Sequence, residues 1–165
     1  MAGTIQQLSI SNGGVPKLPL LFAAVTALGI AGDHQKNRKV HGGPKKALLL
    51  LTSEGLEELR AAGFPVYPGA LGENITTCGL DRRYMRPGQR YRLGATVEVE
   101  LTTMRRPCAT LLPYGDQIGE AIFDKDVKAG RWSSPRWGLA GFYASVIRTG
   151  TLQPDDAIVL LSEAA

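Results

Sequence analysis

Only two cysteines, Cys78 and Cys108, and two histidines, His34 and His41, occur among the 165 residues. Two thiols make at most one disulfide, and their spacing fits no zinc-binding pattern. No ferredoxin-type cysteine cluster is present. Free thiols in a reducing compartment are the simpler reading. Long apolar runs are also missing. The longest, Leu18 to Gly32, holds Pro19 and Thr26 and falls short of the ~20 residues a membrane span needs. It starts too far into the chain, with Lys17 as the only charge before it, to read as a signal peptide. A cytoplasmic protein without a membrane segment is expected. Aromatics are scarce, at 7%, against 20 glycines and 10 prolines, which favours a loop-rich β protein over a helical bundle. A formal net charge of +4 admits anionic ligands. No basic block is long and no aromatic platform is interleaved with one, so nucleic acid is not the expected partner. With 44% hydrophobic and 21% charged residues, disorder is excluded.

What is present is turn chemistry between short strand patterns. Thr4 to Ile10 reads as a first strand, stopped by Asn12-Gly13-Gly14, a cluster that supplies positive φ. Pro16 and Pro19 keep the next stretch extended. Ala23 to Ile30 reads as a buried strand, because Gly29 and Gly32 oppose a long helix. Asp33 to Lys46 reads as a polar, basic loop. Ala47 to Leu51 predicts a central strand buried on both faces. Ser53 to Ala62 is the best helix: Ser53 caps it, Glu54, Glu57 and Glu58 suit its positive end, and Gly63 ends it. Glu73 to Thr77 and Tyr91 to Leu93 are short strands, with a turn at Pro87-Gly88. The clearest strand runs from Ala95 to Thr103. Ala95, Val97, Val99 and Leu101 share one face, and Thr96, Glu98, Glu100 and Thr102 the other. A weaker helical segment covers Ile118 to Val127. Tyr143 to Ile147 and Ile158 to Leu161 are closing strands, separated by a turn at Gly150 and Pro154-Asp155-Asp156. Many short strands and one good helix predict a mainly β fold with minor α, a barrel or closed sheet.

Three loops concentrate chemistry. In His41-Gly42-Gly43-Pro44-Lys45-Lys46, glycines admit close backbone approach and successive amides can form an anion nest, reinforced by the lysines. A plain surface turn has the same composition. In Pro68 to Thr76, Glu73 is a candidate base and Asn74 a candidate donor and acceptor, against the competing reading of local turn bonding. In Arg105-Arg106-Pro107-Cys108, Pro107 ends the strand and two arginines sit beside a thiol. Nearby cations favour the thiolate, the nucleophilic and metal-ligating form. A lone cysteine also serves as a small buried hydrophobe, and a cysteine–histidine pair with His41 is a further alternative. Cys78, with no basic flank, reads as a buried structural thiol.

Taken in order, these loops resemble those of the MOSC domain family, named after the C-terminal domain of molybdenum cofactor sulfurase. The similar stretches are Asn12-Gly13-Gly14-Val15-Pro16-Lys17, Gly29-Ile30-Ala31-Gly32-Asp33, His41-Gly42-Gly43-Pro44, Pro68 to Thr76 and Arg105-Arg106-Pro107-Cys108. Gly141 to Val146 and Leu152 to Asp156 are similar to the family's last strands. The resemblance covers nearly the whole chain. It implies a single MOSC domain over residues 1–165 with a MOSC-type β-barrel-like fold. It implies that Cys108 ligates molybdenum or carries sulfur, with the molybdenum cofactor (molybdopterin) as the bound group. Soft thiolate ligation suits that chemistry. The pterin's phosphate makes Lys17, Arg105 and Arg106 electrostatic partners. His41, Gly42, Gly43, Glu73, Asn74 and Thr76 fall at positions expected to line the same pocket, His41 and Glu73 as candidate catalytic groups. The implied activity is reduction of N-hydroxylated bases or related N-oxygenated small molecules. The alternative is a non-enzymatic carrier of sulfur, as a Cys108 persulfide, or of the cofactor. The chain shows no aminotransferase-like pyridoxal phosphate domain and no separate N-terminal barrel. Desulfuration of cysteine by this chain is therefore not expected, and a separate electron-donor or cofactor-delivery protein is.

Overall fold

The computed structural model describes residues 1–165. Its strands are β1 (Ala2–Ile10), β2 (Leu18–Leu20), β3 (Ala23–Thr26), β4 (Gly29–Ile30), β5 (Leu48–Thr52), β6 (Ile75–Cys78), β7 (Arg90–Leu93), β8 (Val97–Met104), β9 (Phe142–Arg148), β10 (Gly150–Leu152) and β11 (Ala157–Ser162). The helices are short: α1 (Arg38–His41), α2 (Ser53–Ala61), α3 (Ile118–Ile122) and α4 (Lys125–Lys128). Seven strands close a barrel in the order β1-β11-β7-β8-β9-β5-β6, with β6 pairing back to β1. An odd-numbered barrel cannot be antiparallel all round, because strand direction must repeat once. The repeat falls at β5 and β6, which are parallel, and α2 lies in the crossover that parallel neighbours need. Outside the ring, β2 pairs with the end of β1, and β10, β3 and β4 form a small second sheet.

Strand alternation builds two cores. Leu48 and Leu50 of β5, Val97, Val99 and Leu101 of β8, and Phe142 and Ala144 of β9 pack inside the barrel. Leu49, Leu51 and Tyr143 take the opposite parity and pack outside it, under Leu56 and Leu59 of α2 and Ile118 and Ile122 of α3. The whole of β5 is buried, as its unbroken apolar run predicts.

Several boundaries differ from the sequence reading. Ala95 is exposed in a turn, and β8 begins at Val97. Ala23 to Ile30 folds as the hairpin of β3 and β4 rather than one strand. Asp33 to Lys46 is not all loop, since it contains α1 and a 3₁₀ turn at Pro44–Lys46. Thr52, not Ser53, caps α2, its Oγ1 accepting from the Gly55 N–H at 3.1 Å. Gly150 lies in a strand, not a turn. It pairs with Val25, and a Cβ on it would overlap Thr96 Oγ1. Cys78, read as buried, is exposed, and both cysteines are free. No helix is long and apolar enough to cross a membrane.

Candidate functional site

A cleft of about 420 Å³ lies against the outer face of the barrel wall, where Tyr143 of β9, Leu49 of β5 and Asn74 at the entry to β6 line it. Gly14, Val15 and Lys17 after β1 form one side. His34 to Asn37, Val40 and His41 form another, and Arg105 with Cys108 to Thr110 the third. Four lining residues are Lys or Arg (Lys17, Lys36, Lys46 and Arg105), and none is Asp or Glu.

Cys108 follows β8 and heads a 3₁₀ helix, Ala109–Tyr114. Its half-buried Sγ is 2.8 Å from Thr110 Oγ1 and 4.0 Å from Arg105 Nη2. Burial pushes the thiol up. The Thr110 hydroxyl and amide, with the Arg105 charge, outweigh burial and hold Cys108 below the ordinary thiol value.

Arg105 is 4% exposed, and its backbone N–H donates to Gly141 O at 3.0 Å. Gly141 has φ of 88°, and any Cβ on it would collide with Leu50 O and Leu51, so glycine lets the chain after β8 close against β5. The Arg105 Nε and Nη1 groups are buried without a protein acceptor. Buried guanidinium donors of this kind carry a desolvation cost that an anionic or oxo acceptor in the cleft would remove.

His41 Nδ1 is 2.8 Å from the Tyr143 hydroxyl. Burial first, then the charges of Arg105 and Lys46, hold the imidazole below its usual value. Burial pushes the Tyr143 phenol up. Neutral His41 therefore accepts from the Tyr143 O–H at Nδ1 and carries its own proton on Nε2. Lys46 lies over the Tyr143 ring, 5.3 Å from its centroid, and donates to Val40 O.

Lys17 is 8% exposed and its amine touches both Asp33 oxygens at 2.5 Å. Asn74 Nδ2 donates to Asp33 at 2.9 Å, and Asn74 Oδ1 accepts from the Leu49 N–H at 3.1 Å. This group ties the loop after β1 to β5, and it balances the Lys17 charge internally.

The remaining sequence candidates sit elsewhere. Glu73 is fully buried behind the cleft rather than lining it, its Oε1 accepting from the Gly69 N–H at 2.7 Å and the Thr76 hydroxyl at 3.1 Å. It braces a loop in which Gly69, at φ of 90°, packs so closely on Lys17 O that no side chain fits. Burial raises the Glu73 carboxyl. Thr76 is buried with it. Gly42 and Gly43 lie past the end of α1, outside the cleft lining. Arg106 is exposed and faces a neighbouring hollow, so Arg105 alone of the two arginines meets the thiol. Lys17, His41, Asn74, Arg105 and Cys108 are thus brought together. Sequence reasoning missed the parts played by Asp33, Thr110 and Tyr143, and it placed Lys46 only as a cation beside a candidate anion nest. Tyr143 had a usable signal, a polar tip on the outward parity of a strand.

No cluster of three or more His, Cys, Asp or Glu is placed to hold a metal. The protein offers one thiolate, so a metal at Cys108 has to bring its other ligands with it. An anionic metal complex fits this thiolate, the free Arg105 donors and the carboxylate-free lining.

A β-barrel with one activated thiol in a cation-lined cleft defines a thiolate-bearing anion site. The chain belongs to the MOSC domain family, whose model matches residues 37–159. It is 31% identical over 143 residues to Protein YiiM of Escherichia coli (strain K12), covering 84% of this chain and 58% of that protein. It is 31% identical over 134 residues to the uncharacterized protein YflK of Bacillus subtilis (strain 168), covering 79% and 55%. A Gibberella moniliformis protein named Reductase is 29% identical over 143 residues, covering 82% of this chain and 23% of that protein. The chain spans little more than half the length of the first two relatives. The crystal structure of Escherichia coli YiiM shares the fold, with a TM-score of 0.69 at 23% identity over 100% of this chain and 72% of that one. Strand β1 precedes the matched residues, yet it pairs with β11 and β6 to close the barrel.

Proposed function

We propose that the cleft binds the molybdenum cofactor with Cys108 as the protein's thiolate ligand, and that the protein reduces N-hydroxylated bases or related N-oxygenated compounds. One observation carries this reading: an activated thiol beside a buried guanidinium with two uncommitted donors, in a cleft without carboxylates. Cys108 would hold the metal. Arg105 would donate to the anionic parts of the cofactor, and Lys36 and Lys46 would add charge for its phosphate. Lys17, paired with Asp33, positions the loop instead of supplying free charge. When bound, the group supplies two-electron redox chemistry.

The net reaction turns N–OH into N–H, taking up two electrons and two protons and releasing water. Electrons come from a separate protein in the cytoplasm. The Tyr143 O–H and His41 form a proton relay at the cleft wall, His41 releasing its Nε2 proton only as Nδ1 takes the Tyr143 proton, with solvent resupplying the pair for the second proton. Arg105 stabilises negative charge on the departing oxygen. In a viologen-coupled assay of cofactor-loaded protein, Tyr143→Phe is expected to lower kcat by about 10²-fold. Turnover that survives unchanged in Cys108→Ala would contradict the reading. The half-exposed thiol equally suits a sulfur carrier. A sulfur adduct on Cys108 by intact mass, with no turnover, would favour that second reading.

A further inference from the structure

A second hollow, of about 600 Å³, adjoins the cleft. Val40, His41, Lys46 and Tyr143 line both, so the hydrogen-bonded His41–Tyr143 pair stands between the thiol and the second hollow. Apolar side chains form much of the hollow's surface: Met104, Phe123, Val127 and Trp137. Trp137 is fixed, its Nε1–H donating to Met85 O at 2.9 Å. Arg106 and Lys128, both exposed, join Lys46 as the hollow's cations. None of the three is in an ion pair, and no carboxylate lines the hollow. The acidic residues around α4 are already engaged, Asp124 with the Val127 N–H and Arg136, and Asp126 with Arg131.

We propose that this hollow is the substrate subsite, and that it selects planar N-oxygenated compounds carrying a carboxylate or a phosphate. The proposal rests on the functional reading above. The volume lies within the roughly 300–1,000 Å³ of small-molecule sites. The apolar surface takes a planar ring. An N–OH group carried across the edge the two hollows share passes the His41–Tyr143 relay into the first cleft, where Arg105 and Cys108 lie, while the anionic substituent stays with Arg106 and Lys128. Unpaired charges of one sign in a concavity raise the local concentration of the opposite ion. Arg106, which the family resemblance assigns to the cofactor, thereby serves the substrate.

The test is equilibrium binding to the full chain, without added cofactor, of two matched pairs: benzamidoxime against its para-carboxylate, and N-hydroxycytidine against its monophosphate. At low ionic strength at least one anionic member is expected to bind about 5–10-fold tighter than its neutral partner. The advantage should shrink at high salt, and fall to about one in the Arg106→Gln/Lys128→Gln double variant. Preference for the carboxylate alone or the monophosphate alone identifies which anion is read. Equal binding within both pairs, or a preference that survives the double variant, overturns the subsite. If the anionic preference holds while loaded protein turns over none of the four compounds, the redox reading falls and with it the hollow's part in that reaction, and only its selection of anionic ligands stands.

Discussion

Replacing Thr110 by valine should make Cys108 a poorer thiolate without moving it. Thr110 Oγ1 is 2.8 Å from Sγ, and the Thr110 amide helps from the same side. Valine keeps the shape and the amide and removes only the hydroxyl. A hydrogen bond to a charged group is worth about 1.5–3 kcal/mol. Because Sγ is only half-buried, solvent replaces part of that, leaving about 1.4 kcal/mol, or roughly one pKa unit. The assay is the pH dependence of alkylation by iodoacetamide, in a Cys78→Ser background because Cys78 is exposed and would react too. The wild-type midpoint is expected below that of a free thiol, roughly 8.5. Thr110→Val should shift it up by about one unit, and Thr110→Ser should restore it. A wild-type midpoint at or above the free-thiol value, or a valine variant that titrates like wild type, would refute the reasoning.

Two further predictions concern buried charged groups outside the cleft lining. Burial raises the Glu73 carboxyl, so the folded state binds that proton more tightly than the unfolded one. Its contribution to stability is complete below the unfolded value near 4.5 and declines as pH rises through the folded value. Glu73→Gln keeps an acceptor for Gly69 and Thr76. It is expected to lose that decline and at least match wild type at neutral pH in urea melts, and a variant markedly weaker there would contradict this. Arg82 joins Glu58 of α2 to the carbonyls of Pro135 and Trp137 from a buried position. Arg82→Met should cost about 2–4 kcal/mol by chemical denaturation. An unchanged denaturation midpoint would show that the buried guanidinium holds nothing together.

The parts of the fold that were legible in the sequence are those where local pattern and burial agree. The alternation of Val97, Val99 and Leu101 survives as the inner face of β8. The unbroken leucines of β5 survive as a strand buried on both sides. Gly150 was misread because glycine marks a close backbone approach as often as a turn, and here the approach is to Thr96. Ring closure of β1 with β11 and β6 depends on distant pairings that periodicity does not encode.

At the site, Cys108 was legible because its neighbours in sequence are also its neighbours in space. The two arginines before it look alike in sequence. The bond from the Arg105 N–H to Gly141 O turns one inward, and the other faces outward. The Lys17–Asp33 pair and the His41–Tyr143 pair join separate elements, and only the folded chain shows them. Glu73 drew attention as a base, but the local bond to Gly69 decides its place.

Molybdenum content of the chain purified from a cofactor-competent host, read by mass spectrometry, tests the central claim most directly. About one metal per chain is expected in wild type and in Cys78→Ser, and close to none in Cys108→Ala, because Cys108 is the one thiol in the cleft. Wild-type protein without molybdenum, or Cys108→Ala with as much as wild type, would contradict it.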